Sequence, residues 1–158
     1  MRLSLGLAIL VILLDHLSKW WILAVVMQPP RVIEVTGFFN LVLTYNTGVS
    51  FGLFSGESAW RPWVLSALAV AVCAGLLIWL RRQERRWLAL SIGLIVGGAI
   101  GNVIDRILRP GVVDFLDFHV AGWHWPAFNL ADSAITVGVV LLLIDGLFLD
   151  DDSAKKER

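Results

Sequence analysis

Four apolar stretches, each long enough to cross a lipid bilayer, constrain this chain more than any other feature of its sequence. They cover residues 5–27, 60–80, 87–105 and 128–149, so each has 19 to 23 residues. At about 1.5 Å rise per residue, such lengths match a hydrocarbon core of about 30 Å. Backbone groups in lipid can hydrogen-bond only within a helix or a closed barrel. We therefore predict four transmembrane helices in one membrane domain, residues 1–158.

The connections between these helices carry a charge asymmetry that predicts their orientation. Residues 81–86, between the second and third stretches, contain four arginines. Short, positively charged loops stay on the cytoplasmic side, so this loop and both termini are predicted to be cytoplasmic. The longer connections, residues 28–59 and 106–127, are then extracytoplasmic. Tryptophans, which prefer membrane interfaces, gather at both predicted boundaries.

The first extracytoplasmic connection has the composition of strands. Residues 31–45 mix β-branched, aliphatic and aromatic side chains around Thr36-Gly37. We therefore predict a small β-sheet there, on the outer face of the membrane between the first and second helices. The predicted fold class is an all-α membrane protein, a four-transmembrane-helix bundle with this small extracytoplasmic sheet. Residues 52–56 (Gly-Leu-Phe-Ser-Gly) are a candidate gate.

Charged residues inside membrane spans cost about 2.5–3.5 kcal/mol each at mid-helix, so each needs a reason. Asp15 and Lys19 stand four residues apart and share a helix face. An internal ion pair that docks the first helix is the simpler interpretation, and direct involvement in chemistry is the alternative. Asp145 lies near the cytoplasmic end of the fourth span, where we expect it to reach water.

The third span carries a glycine stripe and ends in a polar cluster. Glycines repeat every four residues over 93–101, which predicts a bare face where another helix packs closely. Asp105 continues this stripe, and we expect a structural ion pair between it and Arg106. Asn102 and Arg106 are four residues apart on an adjoining face. The polar cluster is thus predicted on the packed side of the bundle.

The start of the fourth span and the connection before it supply further polar residues. Asn129, Asp132 and Thr136 follow an i, i+3, i+7 pattern, which places one polar face on an apolar helix. Asn129 also suits a helix N-cap, and Asp132 suits the first turn of a helix. Asp114 stands between apolar neighbours where the chain returns toward the membrane. Asp117 is predicted to be a solvated loop charge.

The predicted outer interface therefore collects acids and amides from distant parts of the chain. Two carboxylates held close in a low-dielectric site cannot both ionise, so they share a proton. One then activates water while the other protonates the scissile group, and amides or an arginine stabilise the oxyanion. Peptide hydrolysis at the membrane surface suits these residues. Spacing alone leaves Asp105 as a rival of Asp114 for the pair with Asp132.

Five motifs, in order across nearly the whole chain, carry a family resemblance. They are Asp15-x-x-Ser-Lys19, Asn46-x-Gly48-x-x-Phe51, Gly97-Gly-Ala-x-Gly-Asn102-x-x-Asp105-Arg106, Val113-Asp114-Phe115 and Phe128-Asn129-x-Ala131-Asp132. With these spacings in a four-span chain of this size, the sequence resembles the lipoprotein signal peptidases (signal peptidase II), which are bacterial aspartic peptidases of prolipoproteins.

The resemblance implies a role for each matching position. The implied residues are catalytic Asp114 and Asp132; substrate-binding Asn46, Gly48, Asn102, Arg106 and Asn129; and supporting Asp15, Lys19 and Asp105. The implied substrate is a prolipoprotein whose cysteine carries diacylglycerol, cut just before that cysteine. Membrane lipid and a globomycin-type inhibitor are the other implied partners. We expect no nucleic acid and no cofactor, and no metal because the histidines show no paired metal-binding spacing. The implied location is the bacterial inner membrane, with the site facing the periplasm.

Two other classes of protein are alternatives. A small proton-coupled transporter also uses intramembrane carboxylates, but it predicts polar residues throughout the membrane depth and an inverted repeat. A non-catalytic assembly subunit would use the glycine stripe to bind another membrane protein, and it leaves the cluster of acids and amides without a role.

Overall fold

Four long helices form the membrane part of the molecule. The computed structural model describes residues 1–48, 60–83 and 85–149. The helices are α1 (Arg2–Trp21), α2 (Arg61–Leu80), α3 (Arg86–Leu108) and α4 (Leu130–Ile144). A π-helical turn continues α1 over Ile22–Val26, and another continues α4 over Asp145–Leu149. All four are long and apolar enough to cross a membrane, which confirms the prediction of four long apolar helices.

Helix α3 is the centre of the bundle. Of its apolar part 67% is buried inside the molecule, against 17–22% for the other three spans. Its glycines allow this packing, as the sequence predicted. A Cβ added at Gly97 would lie 2.8 Å from the carbonyl oxygen of Ala8 in α1. On α4, a Cβ added at Gly138 would lie 2.8 Å from the carbonyl oxygen of Ser91 in α3.

A four-stranded antiparallel sheet lies beyond the helices. Its strands are β1 (Ile33–Thr36), β2 (Phe39–Asn46), β3 (Val112–Val120) and β4 (Trp123–His124), in the order β1-β2-β3-β4. The label all-α is therefore wrong, and so is the placement of the whole sheet between the first two helices. Its second half comes from the connection between α3 and α4. Two strands alone are marginally stable, and pairing β2 with β3 gives the larger sheet that holds them.

A small apolar core joins the sheet to the end of the first span. Ile22 and Met27, which follow α1, pack with Val113 and Phe115 of β3, and all four side chains are buried. Such burial contributes roughly 1.5–3 kcal/mol per side chain. The residue between the two β3 positions is Asp114, so this core fixes the strand segment that carries it.

Two carboxylates differ from their predicted surroundings. Asp117 is buried in β3, where Asn40 and His124 bind it, so it is not a solvated loop charge. Asp145 is also buried and lies 3.4 Å from a guanidinium nitrogen of Arg85, so it does not reach water freely. Each of these two carboxylates binds a partner that is distant in sequence, Asn40 for Asp117 and Arg85 for Asp145. The candidate gate at 52–56 lies outside the described residues.

Candidate active site

The first turn of α4 holds Asp132 through a reciprocal cap. The Asn129 side-chain oxygen accepts the N–H of Asp132 at 3.0 Å, and Oδ2 of Asp132 accepts the N–H of Asn129 at 3.2 Å. The predicted N-cap is thus confirmed, and it is a capping box in which Asp132 takes the third position. Because two bonds fix Asp132 against the helix end, its carboxylate has a defined direction.

Strand β3 supplies the second carboxylate, Asp114, whose side chain is buried. Its Oδ2 accepts a hydrogen bond from Nδ2 of Asn46 at 3.0 Å, and its Oδ1 accepts one from Nδ2 of Asn129 at 2.7 Å. Burial raises the pKa of Asp114 to about 6, the two amide bonds oppose that rise, and the nearby charge of Asp132 adds to it. Asp114 is therefore a carboxyl that can hold a proton near neutral pH.

Two asparagine amides connect the carboxylates. Asn129, which binds Asp114, also donates from Nδ2 to Oδ1 of Asn102 at 3.2 Å. Asn102 in turn donates from Nδ2 to Oδ1 of Asp132 at 2.8 Å. The structure thus brings together Asp114, Asp132 and the three predicted amides in one continuous hydrogen-bonded set.

Gly48 explains the spacing of the second motif. Its N–H donates to Oδ1 of Asn46 at 2.8 Å, which leaves Nδ2 of Asn46 to face Asp114. Its φ of +99° is disfavoured for residues with a side chain, and an added Cβ would collide with Leu65. Gly48 therefore orients an amide through its backbone. Phe51 of the same motif lies outside the described residues.

Arg106 lies beside this set, although not as predicted. Its Nη1 donates to the backbone oxygen of Asn102 at 3.4 Å, and its charge acts on both Asp132 and Asp114. Its Nε–H is buried without a hydrogen-bond partner among the described residues. The predicted ion pair with Asp105 is wrong, because adjacent residues point about 100° apart on a helix.

Asp105 pairs instead with two other cations, Lys19 of α1 and Arg109, which follows it by one helical turn. Its Oδ2 lies 2.8 Å from Nζ of Lys19, and its Oδ1 binds Arg109. Arg109 was missed in the sequence, although its i, i+4 spacing from Asp105 was a usable signal. Lys19 also binds Asp15 at 2.7 Å, which confirms the predicted internal ion pair in α1. In residues 1–48, 60–83 and 85–149, no three metal-binding side chains form a cluster.

Comparisons with known proteins agree with the resemblance of the motifs. The family profile described as "Signal peptidase (SPase) II" matches residues 7–148. A "Lipoprotein signal peptidase" of Burkholderia vietnamiensis is 52% identical over 144 residues, which cover 90% of this chain and 86% of that protein. A protein of the same description from Burkholderia ambifaria is 51% identical over the same coverage.

Two solved structures share the fold of this chain. A chain described as "Bacterial membrane enzyme structure by the in meso method at 2.3 A resolution" is 32% identical, with a TM-score of 0.80. That similarity covers 100% of this chain and 94% of the other. A second such structure, at 1.9 Å, is 30% identical with a TM-score of 0.80 and covers 94% of each chain. Since profile, sequences and fold agree over nearly the full length, this chain belongs to the signal peptidase II family, whose members remove signal peptides from prolipoproteins.

Proposed function

We propose that this peptidase is of the aspartic type, with Asp114 and Asp132 as its catalytic pair. The observation that carries the proposal is that Asn129 binds both carboxylates. Its side-chain nitrogen donates to Asp114 at 2.7 Å, and its backbone N–H donates to Asp132 at 3.2 Å. One residue thus holds two acids that lie on different elements. Asp105 is a poorer candidate because two cations engage it.

In this proposal Asp114 and Asp132 share one proton, and the reaction uses that proton. Two neighbouring acids with restricted access to water titrate as a unit rather than as separate groups. Because the pKa of Asp114 is raised to about 6, a fraction of this carboxyl is protonated near neutral pH. One carboxylate takes a proton from the attacking water, while the protonated one gives its proton to the scissile carbonyl oxygen. When the C–N bond breaks, the proton taken from water passes to the leaving amine, and the gem-diol returns a proton to the other carboxylate, so the pair again holds one proton.

The neighbouring polar groups suit substrate binding. Asn46, Asn102 and Asn129 hold the carboxylates, and the unpartnered Nε–H of Arg106 is a donor for a carbonyl oxygen of the substrate. A preorganised hydrogen-bond donor aimed at developing negative charge contributes roughly 3–4 kcal/mol to transition-state stabilisation in other enzymes. In this proposal Arg106 stabilises the negative charge that develops on the carbonyl oxygen before the proton reaches it, and Gly48 keeps Asn46 in place.

The substrate we propose is a prolipoprotein whose cysteine already carries diacylglycerol, and cleavage occurs just before that cysteine. The lipid chains would lie in the bilayer beside the helices, and the peptide would meet the carboxylates where α4 begins. We further propose that the enzyme lies in the bacterial inner membrane with both termini cytoplasmic and its sheet periplasmic. The arginines of 81–86 and the exposed Trp123 and Trp125 of the sheet region support this orientation.

The test is cleavage of a diacylglyceryl-modified prolipoprotein by the purified protein in detergent or bilayers. We expect a shortened lipoprotein with a new amino-terminal cysteine, and we expect globomycin to block the reaction. The unmodified precursor is the matched control and should stay uncut. A protein that leaves the lipidated precursor intact would contradict the proposal. The transporter interpretation has no support from the family match.

A further inference from the structure

Two buried carboxylates outside the catalytic pair each hold the backbone next to one of its members. Oδ1 of Asp15 accepts the N–H of Ala131 at 3.1 Å, and Ala131 immediately precedes one catalytic aspartate. Oδ2 of Asp105 accepts the N–H of Val113 at 3.2 Å, and Val113 immediately precedes the other. The same arrangement therefore occurs twice, once for α4 and once for β3.

Lys19 joins these two carboxylates. Its Nζ lies 2.7 Å from Oδ2 of Asp15, 2.8 Å from Oδ2 of Asp105 and 3.2 Å from Oδ1 of Asn102. An ammonium group has three N–H donors, so this geometry uses all of them. The side chains of Lys19, Asp15 and Asp105 are 0% exposed, which means that no water competes for these bonds. We call these three residues the clamp.

The clamp contributes more to the fixed positions of the surrounding elements than to the free energy of unfolding. Burying charges has a large desolvation cost, and a buried ion pair often gives no more stability than apolar side chains of the same volume. What such a pair can supply is a fixed arrangement, because its members tolerate few alternatives. With Arg109 on Asp105, two negative and two positive charges balance, so the clamp holds α1, α3, α4 and β3 without leaving a net charge.

We infer that Lys19 is a positioning residue that sets the separation of Asp114 and Asp132 through the two carboxylates of the clamp. This inference rests on the proposed function. Lys19 also fixes the amide of Asn102, because Oδ1 faces the ammonium and Nδ2 must then face Asp132. The clamp itself lies behind the catalytic pair and does not touch substrate. Its loss should therefore lower kcat and leave KM nearly unchanged.

A charge-balanced double variant, Lys19→Met with Asp15→Asn, opens the clamp. The asparagine oxygen can still accept the N–H of Ala131, and Arg109 still neutralises Asp105, so no uncompensated charge is buried. We expect a melting temperature close to wild type, KM within about twofold, and kcat reduced about 10- to 100-fold, since misplacement by about 1 Å can have such an effect. Asp145→Asn, which breaks the ion pair of another buried carboxylate, is the control and should keep its kcat.

A second variant displaces the clamp without removing a charge. A Cβ at Gly101 would lie 2.8 Å from Oδ2 of Asp15, so Gly101→Ala must move that carboxylate. Gly75→Ala in α2 is the matched control, because an added Cβ there meets nothing within 4 Å. Both changes raise helix propensity by a similar amount, about 1 kcal/mol. We expect a lower kcat with unchanged KM for Gly101→Ala only.

The outcomes separate this inference from the proposed function. A wild-type kcat in either folded variant overturns the clamp, as does failure of both variants to fold, which would make Lys19 a folding residue. A fall in kcat at constant KM supports it. Asp114→Asn, assayed in parallel, tests the proposed function: if that variant still cleaves, the catalytic pair is wrong. If it is inactive while both clamp variants keep full activity, only the clamp is wrong.

Discussion

Asp114 and Asp117 lie three residues apart in β3, and both are buried, yet their surroundings give them opposite chemistry. Each accepts a hydrogen bond at 3.0 Å from an asparagine of β2, Asn46 in one case and Asn40 in the other. The second neighbour differs. Asp117 faces the imidazole of His124, whose Nδ1 lies 2.9 Å from both of its oxygens. Asp114 faces the amide of Asn129 instead.

The pKa values of these two aspartates shift in opposite directions. Burial raises the pKa of Asp114 to about 6, and the charge of Asp132 adds to the rise. Burial also acts to raise the pKa of Asp117, but hydrogen bonds from His124 and Asn40 and the nearby imidazoles outweigh it and lower the pKa. Burial alone therefore does not set the direction of an aspartate's pKa. At Asp114 burial prevails over the two amides, with the charge of Asp132 adding to it, whereas at Asp117 the imidazoles and Asn40 prevail over burial.

The largest expected effect is the loss of activity in Asp114→Asn. An asparagine keeps the size of the side chain but cannot exchange a proton, so we expect kcat/KM to fall about 10²- to 10⁴-fold. The same change at Asp117 should leave kcat/KM within about threefold, because that carboxylate only binds its neighbours. Both are measured with the lipidated precursor, after circular dichroism has verified the fold. Equal activities in the two variants would remove the contrast between the aspartates.

A smaller loss is expected when the link between the two proposed catalytic acids is cut. Asn129→Ser keeps an N-cap oxygen for α4 but removes the amide that binds Asp114. A hydrogen bond to a charged group contributes roughly 1.5–3 kcal/mol, so kcat should fall about 10- to 100-fold. Asn40→Ser removes the corresponding amide from Asp117 and should leave kcat unchanged. A fall in kcat for both variants would mean that the sheet as a whole, rather than this link, supports catalysis.

A change in pH dependence is the third expected effect. The hydrogen bond from Asn46 lowers the pKa of Asp114, so Asn46→Ala should raise that pKa further above its present value of about 6. We expect the corresponding titration in the pH profile of kcat/KM to move to higher pH. The profile is measured on the free enzyme at low substrate concentration. Asn40→Ala is the control, and a shift there, or a shift to lower pH at Asn46, would contradict this assignment.

The sequence predicted those features whose cause is local. Membrane spans follow from the length of apolar runs, and the pairing of Asp15 with Lys19 follows from their spacing of four. The cap at Asn129 likewise depends on residues within one turn. In each case the interacting groups lie close together along the chain, so periodicity and composition contain the information. Residue types at the motif positions then indicated the kind of chemistry.

Features that depend on distant pairing could not be predicted. The sheet needs β2 and β3 from two connections, and no local pattern indicates their register. Asp117 was predicted to be solvated because its partner Asn40 is 77 residues away. The same holds for Asp145, which pairs with an arginine of the loop before α3. A carboxylate costs too much to bury alone, so its partner, wherever it lies, decides whether it is buried.

The smallest expected effect is on thermal stability, and it concerns Asp117, the aspartate of β3 that lies outside the proposed catalytic pair. Because the pKa of Asp117 is lowered in the folded protein, its ionised form stabilises the fold above the unfolded pKa of about 3.9. That stabilisation is lost as the pH falls through the lower, folded value. Asp117→Asn should therefore reduce the melting temperature at pH 7 by roughly 2–4 °C, for a change of about 1 kcal/mol, and less near pH 3. Thermal unfolding in detergent at both pH values measures this change.

Asp114→Asn, which we expect to be inactive, is the comparison. Asp114 has a raised pKa, so its ionised form is the less favourable one in the fold. Asp114→Asn should therefore leave the melting temperature at pH 7 unchanged or higher. Destabilisation of both variants by the same amount at pH 7 would show that the two carboxylates do not differ in the way that their neighbours imply.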